Sequence, residues 1–255
     1  MKNIFKFIFF TSALIFSACS SNDENTDPSE VLLKKVVTKN YDQIYETTFT
    51  YDGKKLIEAK SYRQKKVFTY NNDNIVRIEW YQDPETDNFL LQYVDFEYYP
   101  DGKLKRFKMF LDAPKTVDFV YNSDNTVVFN VTADYNDYYS YSGLLTIENN
   151  EVVQYDFIDG NSSTGSRQYH YDNKNHPLKN VIGYEKLMLF NYFYKSMHWS
   201  GFSTNGGNNS NLIYSNYVED PNVFADYNTY EYNGNDFPIA INIGDEFAGD
   251  RLYYY

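Results

Sequence analysis

The sequence predicts an all-β fold, an antiparallel meander of repeated aromatic hairpins that forms a curled sheet or barrel-like domain. Three observations carry this: 28 Tyr and 20 Phe in 255 residues, 29 Asn against 12 Gly and 7 Pro, and one short phrase that recurs along the chain. Aromatic and β-branched residues suit a pleated surface, and Asn tolerates the left-handed backbone of tight turns. The composition excludes collagen, coiled coil and wholesale disorder.

The recurring phrase is apolar-x-Tyr, a polar turn, then an aliphatic residue five to seven positions after the Tyr. Its clearest copies run from Phe49 through Tyr51 and Gly53 to Leu56, and from Phe96 through Tyr98 and Gly102 to Leu104. Looser copies span 68–75, 119–127, 169–178 and 230–237, and a further turn at Asn149-Asn150 lacks the Tyr. Asp-Gly, Asn-Gly and Asn-Asn pairs supply the positive φ of tight hairpins, so each phrase reads as strand, reversal, strand. Between the turns the residues alternate. Val76, Ile78 and Trp80 share one side of a strand, as do Phe107 with Met109, Val127 with Phe129 and Val131, and Val153 with Tyr155. Arg77, Glu79, Lys108 and Asn130 take the opposite sides. Seven hairpins imply on the order of fourteen strands, a number at which sheets curl, close or split.

Residues 1–18 read as a signal peptide: basic Lys2 and Lys6, an apolar run to Phe16, then Ser17-Ala18. The run is too short to serve as a permanent membrane helix. Cys19 is the sole cysteine, and its place after small residues resembles a bacterial lipobox, which makes it the expected lipidation site. Residues 19–30 are then a lipidated flexible tether, and 31–255 form the β domain, with no intrachain disulfide available to it. Asp23-Glu24 resembles the acidic signals of surface-exported lipoproteins, so both the periplasmic face and the cell surface of the outer membrane are compatible addresses.

Formal charge is −12 overall and −14 once the leader is removed. Residues 116–255 hold nearly all of the excess, with 6 Lys/Arg against 18 Asp/Glu. An acidic body lacks the clustered cations that displace counterions from nucleic acid. A membrane-spanning barrel is also disfavoured, because Glu58, Lys60, Lys65, Lys66 and Lys108 fall within strands.

Residues 178–228 break the hairpin rhythm, with helix-like spacing of Ile182, Leu187 and Phe190 predicting a short helix over 182–190. Long structured loops on a rigid sheet carry binding sites, and they also serve as plugs. Candidate ligand-binding aromatics are Tyr192, Phe193, Tyr194 and Trp199 here, and Tyr138 and Tyr139 earlier. Flat amphipathic rings of this kind stack on sugars or clamp peptides, and packing is their plainer use. No catalytic residue is expected. Gly160–Gly165 lacks a nucleophile elbow. His170, His176 and Asp172 match no zinc spacing, and the acidic loops match no calcium loop, so neither metal nor cofactor is expected.

On the repeated Tyr turns, the lipobox-like Ser17-Ala18-Cys19, Asn175-His176-Pro177 and the late Asn233-Gly234 turn, the chain resembles the YD-like repeat lipoproteins of Gram-negative bacteria. That resemblance implies a porin-like fold and an envelope address, and it implies no activity. The expected function is an envelope binding or scaffold module for a glycan or peptide. The alternatives are a hydrolase of envelope or dietary polymers and a purely structural component.

Overall fold

Each copy of the tyrosine phrase becomes the tip of a hairpin or the start of a longer connection. The computed structural model describes residues 27–40, 43–82, 88–110, 114–133, 140–159, 166–194, 207–220, 224–243 and 250–255. Cys19, Tyr138, Tyr139 and Trp199 lie outside these, as does the side chain of Tyr194. The first half contributes β1 (Lys35–Asn40), β2 (Gln43–Asp52), β3 (Lys55–Ser61), β4 (Gln64–Asn71), β5 (Asn74–Gln82), β6 (Phe89–Tyr98), β7 (Leu104–Phe110) and β8 (Lys115–Tyr121). The second half adds β9 (Thr126–Ala133), β10 (Tyr141–Glu148), β11 (Glu151–Asp159), β12 (Arg167–Tyr171), β13 (Leu212–Tyr217), β14 (Phe224–Tyr232), β15 (Pro238–Ile243) and β16 (Asp250–Tyr254). They follow one another around a closed barrel. β16 returns to β1 in a register that runs from Lys35 opposite Tyr254 to Lys39 opposite Asp250. Closure removes the edge strands that would otherwise invite pairing with other chains.

At the tight tips Asn72, Asn125, Asn149 and Asn150 all hold positive φ, between 51° and 63°, and Gly53 does the same at 59°. Just past most of these turns the ladder skips a residue. Tyr51 pairs with Leu56 while Thr50 pairs with Glu58, and the same slip recurs between Tyr70 and Ile75, Tyr98 and Leu104, and Ile147 and Val152. Such bulges bend and twist a strand, as a curved wall requires. They also correct two side assignments. Ile75 and Val152 are buried where alternation alone selects Val76 and Val153, because the bulge turns the chain by one position immediately after the turn.

The repeated tyrosines have a specific task. Tyr98 Oη donates to the Ile75 carbonyl at 2.6 Å, Tyr121 to Leu104 at 3.0 Å, Tyr171 to Val152 at 2.9 Å and Tyr230 to Leu212 at 3.0 Å. Tyr51 and Tyr255 donate likewise to Leu33 and Pro238, and Tyr70 Oη accepts from the Leu56 N–H. In each case the phenol near the end of one strand reaches the backbone at or just before the start of the neighbouring strand. The two strands are not joined at this end, so the hydroxyl staples successive hairpins together, each bond contributing about 1 kcal/mol. β10 and β14 depart from this: Ile147 stands in the tyrosine's place on β10, and on β14 Tyr230, two residues before the phrase's own Tyr232, makes the backbone bond while Tyr232 donates to the Asp172 carboxylate.

Inside, the wall is apolar: Phe107, Phe119, Phe129, Leu145 and Ile78 are all buried. Gly143 makes room for this layer, since a Cβ there would stand 2.4 Å from the Phe129 ring. Outside, charged pairs alternate with exposed apolar side chains such as Phe89, Leu91 and Val120. Arg77 meets Asp95 at 2.5 Å and Arg106 meets Asp118 at 2.6 Å, both across neighbouring strands. One belt of registered outward residues reads Glu97, Arg106, Asp118, Asn130, Ser142 around β6 to β10. Lys66 differs from its neighbour Lys65: it points inward and is buried against Trp80, and burial lowers its ammonium to about 7.

Candidate ligand site at the capped mouth

Between β12 and β13 the chain leaves the wall and closes the tight-turn end of the barrel. The predicted helix is present slightly later than expected, as a 3-10 turn at Tyr184–Leu187 running into α1 (Met188–Tyr194). Strand structure resumes at Leu212, inside the stretch that the sequence reads as irregular to 228, because the short run Leu212-Ile213-Tyr214 pairs with His170 and Tyr171 on β12.

Apolar burial drives α1 into the lumen. Phe190 packs edge-on against Phe96 at 4.9 Å and Phe107 at 5.2 Å, and Phe193 sits among Phe107, Phe119 and Phe129. Tyr192 stands edge-on to Tyr169, and their hydroxyls meet at 3.0 Å. The structure therefore places Tyr192 and Phe193, the described members of the aromatic candidate set, in contacts between plug and wall.

Polar anchors hold the cap to the hairpin tips. Lys186 Nζ donates to Asn74 Oδ1 at 2.6 Å, the Ile182 N–H to the Lys54 carbonyl at 3.0 Å, and Lys174 pairs with Asp236 at 2.6 Å. Gly183, at φ 79°, passes so close to the β4–β5 turn that a Cβ would lie 2.6 Å from the Asp73 carbonyl. Asp172 gathers both ends of the excursion, accepting the N–H groups of Lys174 and Asn211 at 3.0 Å each and the hydroxyl of Tyr232. Glu151, at the β10–β11 tip, accepts backbone N–H groups from Asn208, Asn209 and Ser210. His176 is buried under the cap, stacked on Tyr184, and burial holds its imidazole near 3. Its Nδ1 accepts from the Leu178 N–H, so the ring is the neutral Nε2–H tautomer.

The cap does not fill the mouth completely. A cavity of about 350 Å³ remains between the tips of β6–β7, β8–β9 and β10–β11 and the start of the plug. Its floor is Leu104, Val127, Ile147 and Leu189, and its rim carries Asp101, Lys103, Asn125, Asn150 and Glu185. Lys103 is already engaged, with Asp101 at 3.6 Å and the Tyr121 ring at 5.1 Å. The sequence marks Asp101, Asn125 and Asn150 only as turn formers, and places Glu185 in the helix-like segment. What makes them a site is three tips adjacent around the wall and one insertion folded over them. Among the described residues no group of His, Cys, Asp and Glu is arranged to hold a metal ion.

The N-terminal segment joins the same end. Asn180 Nδ2 donates to the carbonyls of Pro28 at 2.6 Å and Val31 at 2.9 Å, and Glu30 pairs with Lys54 of the β2–β3 turn at 2.6 Å.

No protein-family model matches the chain, and no curated protein does. Among solved structures it is similar to a porin-like protein from Bacteroides vulgatus, with a TM-score of 0.53 and 16% identity over 88% of this chain and 98% of that one. A porin-like protein from Bacteroides uniformis aligns over 86% and 82% of the two chains, with a TM-score of 0.36 and 11% identity. The first of these likenesses is one of fold, the porin-like barrel.

Proposed function

We propose that this chain is an envelope lipoprotein, exported and anchored through an acylated Cys19, whose capped barrel stands in water beside the membrane and binds a small ligand at its mouth. The observation that carries this reading is the polarity of the wall. A membrane-spanning barrel shows lipid an apolar band of roughly 25 Å and keeps its lumen polar. Here the belt through Arg106 and Asp118 faces outward, and phenylalanines with a helical plug fill the interior. Charged pairs on neighbouring mid-strand positions interrupt the exposed apolar residues, so the wall lacks a continuous apolar band; with the lumen closed, attachment falls to the acyl anchor. The porin-like name of the Bacteroides vulgatus neighbour fits an envelope address.

From Cys19 to Asp27 the tether has eight peptide steps, about 28 Å when extended. Since Pro28 and Val31 are held at the capped end, that end stays within about the tether's length of the membrane.

Detergent-phase partition tests the reading. The full chain should enter the detergent phase. Cys19→Ala, carried on an ordinary cleavable export signal, should enter the aqueous phase. Retention of that variant in the detergent phase would show that the barrel itself inserts, and would overturn the proposal.

A further inference from the structure

We propose that the mouth cavity takes a neutral, polyhydroxylated ligand of one or two sugar rings; this rests on the binding role proposed above. Size is the first argument. About 350 Å³ lies near the lower end of the roughly 300–1,000 Å³ typical of ligand sites, which suits one or two sugar rings.

Charge is the second argument. Two acids, Asp101 and Glu185, and two bases, Lys103 and Lys186, line the space. Both bases are engaged, Lys103 with Asp101 and the face of Tyr121, Lys186 with Asn74. The lining is thus balanced in formal charge, which favours a neutral ligand over an anion or a cation.

The rim chemistry also matches a sugar. The side-chain amides of Asn125 and Asn150 each donate and accept, as sugar hydroxyls do. The half-buried side chains of Ile147 and Met188, over the buried Leu104, Val127 and Leu189, offer apolar surface for the C–H face of a pyranose ring. A peptide would instead call for an unpaired strand edge to extend. The barrel is closed and presents none among its described strands.

Isothermal titration calorimetry on the full chain in lipid nanodiscs tests this. One arm uses free maltose and cellobiose, and another a diglycosyl diacylglycerol within the nanodisc. Control arms use glucuronic acid, glucosamine and diglycine. Saturable binding of a neutral disaccharide is expected, and the arm in which it occurs identifies a soluble or lipid-borne source. Asn150→Gly keeps the positive φ of the turn and removes the amide; Glu185→Ala removes an exposed carboxylate. Each should weaken binding about tenfold, the effect of losing one good hydrogen bond, with the thermal midpoint unchanged. Binding that neither variant weakens, tighter binding of a charged probe, or no binding in any arm would overturn the inference. Preferential binding of diglycine would overturn the sugar class and leave the anchored binding module standing, which the partition experiment tests separately.

Discussion

The Glu151 carboxylate accepts the backbone N–H of Asn208 on both of its oxygens, at 3.0 and 2.9 Å. Asn209 and Ser210 add their N–H groups to Oε1 at 2.6 and 2.8 Å. One buried side chain at a hairpin tip thus grips three consecutive residues of the returning arm of the cap. Asn208 passes the grip on, because its Nδ2 donates to the Glu185 carbonyl at 3.1 Å, at the start of the plug.

This latch is expected to be pH-dependent. Burial pushes the Glu151 carboxyl up to about 7; the N–H donors oppose the rise and the charge of Asp172 adds to it. A carboxyl raised on folding favours the protonated fold. Its contribution is complete below the ordinary carboxylate range and is lost as pH rises toward 7, on the order of 3 kcal/mol across that window. Thermal midpoints at pH 4.5 and pH 8 should therefore fall more in the native chain than in Glu151→Gln. Equal slopes for the two proteins would refute this.

Removing one staple should cost little but measurably. Tyr98→Phe deletes the bond to the Ile75 carbonyl and keeps the ring. About 1 kcal/mol should be lost, a drop of roughly 2–4 °C in the midpoint for a chain of this size. No change would mean that these hydroxyls do not bind successive hairpins.

The plug should be worth more than the outer wall. Phe190→Ala leaves a void against Phe96 and Phe107 and should cost about 3–5 kcal/mol in urea denaturation. Phe110→Ala removes an outward ring stacked on Tyr93 at 4.3 Å, and should cost on the order of 1 kcal/mol. The reverse order would indicate a loosely held plug.

The wall was legible in the sequence because its signals are local. Asn72, Asn125 and Asn149 fix turns by their own backbone preference, and the alternation through Val127, Phe129 and Val131 fixes the inner face. Closure was less legible, since the pairing of β1 with β16 joins residues about two hundred positions apart and leaves no local mark. The bulges that exchange Val76 for Ile75 were hidden for a related reason: a slip in register depends on the partner strand. The site was least legible. The aromatic run Tyr192-Phe193 looked like a binding surface, yet its apolar area is better buried in a lumen lined by Phe107, Phe119 and Phe129. The cavity rim at Asp101, Asn125, Asn150 and Glu185 comes from four separate segments that only the closed barrel brings together.

An anchored barrel beside the membrane requires its outer wall to face water. Cys19, the one native cysteine, can be replaced by Ala behind a cleavable export signal, and single cysteines then introduced as Thr116→Cys, Asn130→Cys and Thr229→Cys outside, or Val117→Cys and Val131→Cys inside. Reaction with a water-soluble maleimide in intact cells should be rapid at the three outer positions and slow at the two inner ones. Protection of the outer positions that is lifted only when detergent dissolves the membrane would contradict the account.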